Sequence, residues 1–274
     1  MDKNLLNDAV KNLETTTNNN LFKTGFIELD SMLKGIDTGH VIVIGGRPCM
    51  GKSSFAISIC LNLLNENKKI CYFTLDMKKE KFVTKLLLTK LKQTKIDFDN
   101  KKNTEKIANA IEFFCNKELF IEDKTNLSIE EFENGIKKHQ PNIVFVDYVQ
   151  ILKMPKAPNL TEATNLAIQE IKRIAIENNT IIVLLSQLSR GVESRFNKMP
   201  MLSDLRNGSL LEEISDVVLL IYREAYYNAE SERKDYADIL IAKNQFGSTG
   251  IISLKYNAPF FNNPDYLKNL KLIH

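Results

Sequence analysis

The sequence predicts an α/β fold, with a mostly parallel sheet covered by helices on both faces and a β-hairpin near the C-terminus. The first observation is size and composition, because a chain of 274 residues that is 43% hydrophobic can bury a core without disulfides or metals. The second is that short β-branched runs alternate with helical patterns from residue 40 onward. The third is that runs such as IVFV and IIVLL are apolar throughout, which is typical of strands buried on both faces.

The alternating pattern also places each element along the chain. Strands are predicted at 41–44, 70–75, 119–121, 143–146, 181–185, 217–222, 238–242 and 251–256. Helices are predicted near 52–65, 78–93, 104–116, 129–138 and 161–178. The last two strands flank a polar turn at 244–250 that contains glycine, and this arrangement predicts a hairpin.

The first twenty residues differ in composition from the rest of the chain. Their apolar positions have helical spacing, and the polar low-complexity tract TTTNNN follows them. The apolar positions are Leu5, Leu6, Val10 and Leu13. We therefore expect a linker helix and flexible arm at 1–20 and one folded domain at 21–274.

Composition excludes several classes of protein and site. No stretch approaches the roughly 18 consecutive apolar residues of a membrane span, so no membrane partner is expected. The N-terminus is polar and does not have the pattern of a secretory signal, which favours a cytoplasmic location. The four cysteines form no CxxC pair and no histidine cluster accompanies them, so we expect buried thiols rather than a zinc site or disulfides. The net charge of +3 identifies no partner by itself.

A glycine-rich segment lies between the first predicted strand and the first long predicted helix. It matches G-x-x-x-x-G-K-[ST] in the strand–loop–helix setting that this pattern requires. Its glycines let backbone N–H groups turn towards an anion, and the helix N-terminus adds partial positive charge. We expect Lys52 to reach the β- and γ-phosphates of ATP and the Ser53 hydroxyl to ligate Mg²⁺. The residues predicted to surround the phosphates are Gly46, Arg47, Pro48, Cys49, Met50, Gly51, Lys52, Ser53 and Ser54.

Two polar side chains follow buried strands at the position where open α/β sheets bind ligands. Asp147 ends the strand IVFVD, and after a phosphate loop it is expected to hold Mg²⁺, the alternative being a helix cap. Gln187 ends the strand IIVLLSQ. It is suited to sense the γ-phosphate or orient water, and the alternative of an ordinary loop amide stays open.

Six motifs in order give the sequence a family resemblance. They are TGFIELD at 24–30, GRPCMGKS at 46–53, FVDYVQ at 145–150, LSQLSR at 185–190, MLSDLR at 201–206, and IAKN at 241–244 with Gly247 and Gly250. Together they resemble the DnaB-type replicative DNA helicases. The resemblance implies a RecA-like ATPase that forms a hexameric ring, binds ATP between subunits and translocates on single-stranded DNA during DNA replication.

The resemblance also implies roles for individual residues. Lys52 and Ser53 bind phosphate and Mg²⁺, Asp147 is the Walker B aspartate, and Gln187 is the sensor. Lys243 reaches across to the γ-phosphate of a neighbouring subunit. The residues implied in DNA backbone contact are Arg206, Asn207 and Ser209.

The segment 188–209 supports a nucleic-acid contact independently of the resemblance. It has no strong periodicity, it follows a predicted strand, and loops of this length are commonly functional. It carries Arg190, Arg195 and Arg206, whose contacts with a phosphate backbone would be independent of sequence. Because Phe196 is its only aromatic residue, electrostatic contact is favoured over base stacking.

Three features depart from the family pattern. The family's N-terminal helical domain, which contacts primase, has no counterpart, so the sequence is either a C-terminal piece or a short relative, and primase or a helicase loader is an expected partner. Asp76 stands where the family has a glutamate that polarises water, and a displacement of about 1 Å can cost about a hundredfold in rate. Gln245 stands where the family has an arginine finger, which is worth roughly a thousandfold in turnover.

These departures keep two alternatives beside the helicase motor. A paralogue that binds ATP and DNA but barely hydrolyses, with a loading or regulatory role, is favoured by Asp76 and Gln245. A recombinase or circadian-type RecA-fold ATPase is disfavoured by the Arg47-Pro48 loop and by the motif at 203–206. If the chain is the motor, we expect slow ATP turnover.

Overall fold

The computed structural model describes residues 22–34, 36–100, 104–153, 157–206 and 208–266, so the predicted linker at 1–20 lies outside the described residues. The helices are α1 Ile27–Met32, α2 Lys52–Asn65, α3 Lys79–Leu91, α4 Lys95–Asn100, α5 Thr104–Cys115, α6 Ile129–His139, α7 Leu160–Glu177, α8 Gly208–Ile214 and α9 Glu224–Tyr227. The strands are β1 Val41–Gly46, β2 Ile70–Thr74, β3 Leu119–Glu122, β4 Ile143–Asp147, β5 Ile181–Gln187, β6 Val217–Tyr222, β7 Tyr236–Asn244, β8 Gly250–Asn257 and β9 Phe260–Asn262.

One nine-stranded sheet organises the described chain, in the order β3-β2-β4-β5-β1-β6-β7-β8-β9. The first six strands of that order are parallel, and β7, β8 and β9 extend the sheet as antiparallel strands. The predicted α/β fold with a mostly parallel sheet and a C-terminal hairpin is therefore confirmed.

Both faces of the sheet are buried under helices. Along β1, Ile42 and Ile44 pack in the core beneath α2 and α3, while Val41 and Val43 pack in the core beneath α6 and α7. A strand that is apolar throughout is the sequence signature of this two-sided burial, because alternate side chains enter different cores.

Each strand and helix predicted from residue 40 onward is present, with ends that shift by at most a few residues. The sequence analysis did not predict the strand β9 or the short helices α1, α4, α8 and α9. Elements of three to seven residues span too few turns or alternations to produce a readable period. The helix α8 begins at Gly208, inside the segment predicted as a loop.

The prediction of four buried thiols is wrong for two of them. Cys60 and Cys71 are buried, whereas Cys49 and Cys115 are exposed. Cys49 lies in the phosphate loop with a positive φ of 63°, and its side chain is exposed there. Within the described ranges, no helix combines the length and apolar character needed to cross a bilayer.

Candidate functional site

The carboxyl ends of four parallel strands meet at one edge of the sheet. The register pairs Gly46 at the end of β1 with Gln187 at the end of β5, and Thr74 at the end of β2 with Asp147 at the end of β4. A cleft of about 500 Å³ opens at this edge. Its lining residues are Pro48, Cys49, Gly51, Lys52, Ser53, Ser54, Asp76, Lys85, Asp147, Tyr148, Gln187 and Tyr256.

The phosphate loop forms one wall of this cleft. Gly51 has φ +100°, and a Cβ there would lie 3.2 Å from the Tyr256 ring, so both conformation and space favour glycine. The next residue, Lys52, begins α2 and donates hydrogen bonds from Nζ to the carbonyl oxygens of Gly46 (2.9 Å) and Arg47 (3.1 Å). Burial lowers the pKa of Lys52 to about 8, although the Asp147 carboxylate opposes the change. A phosphate group would stabilise this ammonium further.

Ser53 and Asp147 lie against one another at the bottom of the cleft. Asp147 is buried, and burial raises the pKa of its carboxyl group above the usual range. A hydrogen bond with the Ser53 side chain and the charges of Lys52 and Lys85 oppose that rise. A hydroxyl and a carboxylate are hard oxygen donors that suit Mg²⁺, so the residues present fit the ion that the fold implies.

Gln187 and Asp76 reach the same cleft from β5 and from the turn after β2. The Gln187 backbone N–H donates to Oε1 of Gln150 at 3.5 Å, and Nε2 of Gln150 donates to the Ser186 hydroxyl at 2.8 Å. The Thr74 hydroxyl donates to the Met77 carbonyl at 2.9 Å, which fixes the turn that carries the exposed Asp76. The structure thus brings together nine of the predicted site residues, namely Pro48, Cys49, Gly51, Lys52, Ser53, Ser54, Asp76, Asp147 and Gln187.

Sequence reasoning missed three residues at this site. Tyr256 lines the cleft, and the Arg223 guanidinium lies 4.3 Å from the centroid of its ring. Arg223 also donates from Nη1 to the Cys49 carbonyl at 3.4 Å, and its Nε is buried without a hydrogen-bond partner among the described residues. Lys85 enters the cleft from α3. Tyr256 lies near the end of β8, in the predicted hairpin and outside the parallel strands to which the strand-end rule was applied.

Lys243 and Gln245 do not reach the cleft of their own chain. They lie at the end of β7, which runs antiparallel to β6 and therefore ends at the amino-terminal edge of the parallel strands. Lys243 Nζ donates to the carbonyl of Glu212 at 2.6 Å, and the Gln245 backbone N–H donates to the carbonyl of Asp216 at 3.0 Å. Action of these two residues on a phosphate would therefore require the cleft of a second subunit, and their roles stay predictions.

The segment after β5 is folded into short turns rather than extended. Arg195 donates from Nη1 and Nη2 to the two carboxylate oxygens of the buried Asp204, at 2.9 and 2.7 Å. This pair closes the segment on itself. Arg190 and Arg206 are exposed and form no ion pair within the described part of the chain, whereas Asn207 and the Ser209 side chain lie outside it. The DNA contacts predicted for this segment stay predictions.

An arginine of the phosphate loop connects the cleft to that segment. Arg47 donates from Nε to Glu193 Oε1 at 2.8 Å and from Nη1 to the Leu188 carbonyl at 3.0 Å. The Tyr227 hydroxyl donates to the same Glu193 oxygen at 3.2 Å. The Arg47 side chain therefore joins the phosphate loop to the segment after β5.

Comparisons with known proteins agree in pointing to one family. Residues 22–263 match the family model of the DnaB-like helicase C terminal domain. The "Probable replicative DNA helicase" of Trieres chinensis is 35% identical over 89% of this chain and 57% of its own length. The "Replicative DNA helicase DnaB" of Rickettsia prowazekii is 34% identical over 93% of this chain and 60% of its own length. The chain thus spans less than two thirds of these two relatives.

Solved structures give the same result for the fold. A structure described as an ATPase domain superposes with a TM-score of 0.87 at 30% identity, covering 97% of this chain and 100% of that one. A DnaB-like replicative helicase whose interactions with primase were studied gives a TM-score of 0.86 at 30% identity, covering 97% of this chain and 67% of that one. The RecA-like fold expected from the motifs is confirmed by these similarities.

Proposed function

Because the chain belongs to the family of DnaB-like helicase C-terminal domains, we propose that it is an ATP-hydrolysing motor that translocates on single-stranded DNA during replication. The observation that carries this proposal is the cleft itself. It brings a phosphate-loop lysine, a serine next to a buried aspartate, a second carboxylate and a strand-end glutamine to one edge of the sheet. No simpler nucleotide-binding role requires all of these groups together.

Within the cleft, each group has a role that follows from its position. Lys52 binds the β- and γ-phosphates after leaving the carbonyls that it contacts here. Ser53 and Asp147 hold Mg²⁺, which supplies charge neutralisation to the phosphates when bound. Asp76 orients the attacking water, and Gln187 contacts the γ-phosphate or that water.

The Arg223–Tyr256 pair supplies a surface for the nucleobase. Its aromatic ring and planar guanidinium lie beside the phosphate loop on the β6 and β8 side of the sheet. Stacking on such surfaces does not depend on the donor and acceptor pattern of the base. We therefore propose weak discrimination among purine nucleotides.

Hydrolysis in this proposal requires an assembly of subunits. Lys243 and Gln245 lie at the opposite edge of the sheet from the cleft of their own chain. A closed ring, hexameric in our proposal, would place that edge against the cleft of the next subunit. Primase, which the description of one similar structure names, or a helicase loader is the proposed protein partner.

DNA contact is proposed for the segment after β5. Arg190 and Arg206 are the exposed cations available to phosphates there, with Asn207 and Ser209 beside Arg206 in the sequence. Arg195 stays paired with Asp204 in this proposal and holds the segment in shape. In this proposal the Arg47–Glu193 ion pair couples DNA binding at that segment to nucleotide binding at the phosphate loop.

The test is ATP turnover measured with and without single-stranded DNA, together with native mass. The proposal expects DNA to stimulate turnover and the active species to be a ring. Arg206→Ala should weaken DNA binding for all sequences and reduce the salt slope by about one unit. Nucleotide binding without turnover, with or without DNA, would instead support the weakly hydrolysing alternative that Asp76 and Gln245 favour.

A further inference from the structure

Lys85 is a cation in the cleft that the roles above leave unused. It lies on α3, the helix that begins shortly after the turn carrying Asp76, and its side chain is half-buried. Its Nζ makes no hydrogen bond and no ion pair with the described residues, although Lys85 lines the cleft. A partly desolvated ammonium without a partner is costly, and a ligand that brings negative charge removes that cost.

The position of Lys85 identifies the part of the nucleotide that it faces. Its ammonium is attracted most strongly by Asp147, which ends β4, and less strongly by Asp76, which follows β2, while Lys81 on the same helix repels it. Tyr256, near the end of β8, and Arg223, just after β6, lie on the other side of β1 in the sheet. With the base on the β6 and β8 side, the phosphate chain runs across the loop, and its end lies on the side of Lys85.

We propose that Lys85 is a second phosphate-binding lysine, which contacts the terminal phosphate of ATP within its own subunit. This assignment rests on the proposed function and deepens it. Near Asp76 the charge of the γ-phosphate group is spread over its outer oxygens during transfer, and a cation there lowers the barrier. Lys85 thus supplies in its own subunit part of the charge that the uncharged Gln245 does not bring from a neighbour.

The reaction at this position is hydrolysis of the terminal phosphoanhydride. The water oxygen bonds to the γ-phosphorus, its proton passes to Asp76, and the bond to the bridging oxygen breaks with the electron pair leaving on ADP. Lys85 forms no covalent bond and loses no proton. Its role is to hold the γ-phosphate oxygens while their charge is redistributed.

The experiment compares the binding of two nucleotides to the full chain. Equilibrium titrations with MgADP and with MgATPγS are made on the wild type, Lys85→Met, Lys85→Arg and Lys81→Met. Methionine keeps most of the side-chain volume and removes the charge. Lys81 is the matched control, because it is an exposed lysine one turn earlier on α3 and does not line the cleft.

The expected result is selective for the terminal phosphate. Lys85→Met should weaken MgATPγS binding about tenfold, the effect of losing one charge-assisted hydrogen bond, while MgADP binding changes less than about twofold. Lys85→Arg should restore most of the difference, and Lys81→Met should behave as the wild type. Urea unfolding of each variant confirms that the folded state is compared.

Two results would overturn the assignment. Equal weakening of both nucleotides would show that Lys85 does not distinguish the terminal phosphate, and unchanged binding of both would remove it from the phosphate site. Both results leave the proposed function intact, because the wild type still binds nucleotide. A wild type that binds neither nucleotide would overturn the proposed function first, and this assignment with it.

Discussion

The two edges of the sheet use lysine and aspartate in opposite ways. At the amino-terminal edge, Lys172 Nζ lies 2.7 Å from Asp216 Oδ2 and 3.2 Å from the Gly39 carbonyl. The same Asp216 oxygen accepts the Val41 backbone N–H at 2.7 Å. At the carboxyl-terminal edge, Lys52 Nζ donates to two carbonyls of its own loop, and Lys85 Nζ has no hydrogen bond or ion pair among the described residues.

The difference separates a structural ion pair from a binding site. Asp216 and Lys172 form an ion pair that connects β1 to α7, so neither charge needs a ligand to balance it. In the cleft at the carboxyl-terminal edge, Lys52 and Lys85 lie near Asp76 and Asp147, and no ion pair joins these lysines to these aspartates in the described structure. Groups left in that state contribute little to stability and remain available to phosphate and Mg²⁺.

The largest expected effect is at the carboxyl-terminal edge, in the cleft. Lys52→Ala should lower ATP turnover by about a thousandfold, because a point charge on the phosphates is lost. Unfolding in urea should change by less than about 0.5 kcal/mol, since the lysine contributes no ion pair to the fold. The measurement is steady-state turnover beside a urea titration, and full ATP affinity and turnover in the variant would contradict the phosphate-loop assignment.

A substitution at the amino-terminal edge should instead lower stability and leave turnover unchanged. Asp216→Ala leaves Lys172 and the Val41 N–H without their acceptor, and we expect a loss of about 3 kcal/mol in the free energy of unfolding. Turnover per folded molecule should stay near the wild-type value. Urea unfolding of this variant and of the double variant Asp216→Ala with Lys172→Met measures the effect, and the double variant should recover part of the loss.

Two substitutions with smaller expected effects test whether Asp76 and Gln245 make ATP turnover slow. Asp76→Glu should raise turnover about tenfold by extending the carboxylate towards the water, and Gln245→Arg should raise it by a similar factor. The two changes should couple, because both act on one transition state. Turnover of the four proteins is measured above and below the concentration at which subunits assemble.

Assembly distinguishes the two substitutions. The effect of Gln245→Arg should disappear below the assembly concentration, since its side chain acts on a neighbouring cleft. The effect of Asp76→Glu should persist in any subunit that binds ATP productively. Brisk turnover of the wild type with no gain from either change would show that another base and another cation serve this site.

The sequence was sufficient for the sheet and for the part of the cleft that follows from it. Runs apolar on both faces predict parallel strands, and parallel strands put Asp147 and Gln187 at one edge with the phosphate loop. Lys85 was not predicted. Helical periodicity shows which face of α3 is apolar. Which of its lysines lines the cleft depends on how the helix packs against the sheet, and the sequence pattern does not show that.

Polar contacts between residues far apart in the chain could not be predicted from the sequence either. The role of Arg195 in closing its own segment depends on a buried Asp204, and nothing in the local pattern separates it from the exposed Arg190. Arg223 and Tyr256 meet through an antiparallel extension of the sheet. Such contacts depend on register and on side-chain direction, which composition and spacing do not encode.

The strand order of the sheet links nucleotide binding to folding itself. The cleft is assembled from residues between Gly46 and Tyr256, and β1 pairs with β5 and β6, which are far from it in the chain. The complete cleft therefore requires contacts of high sequence separation, which an unfolded chain does not hold. Nucleotide then binds the native state alone, and at a hundred times its dissociation constant it adds about 2.7 kcal/mol to the free energy of unfolding. If the cleft binds ATP as proposed, ATP at cellular concentrations will slow proteolysis of the folded chain, which limited proteolysis with and without MgATP would measure.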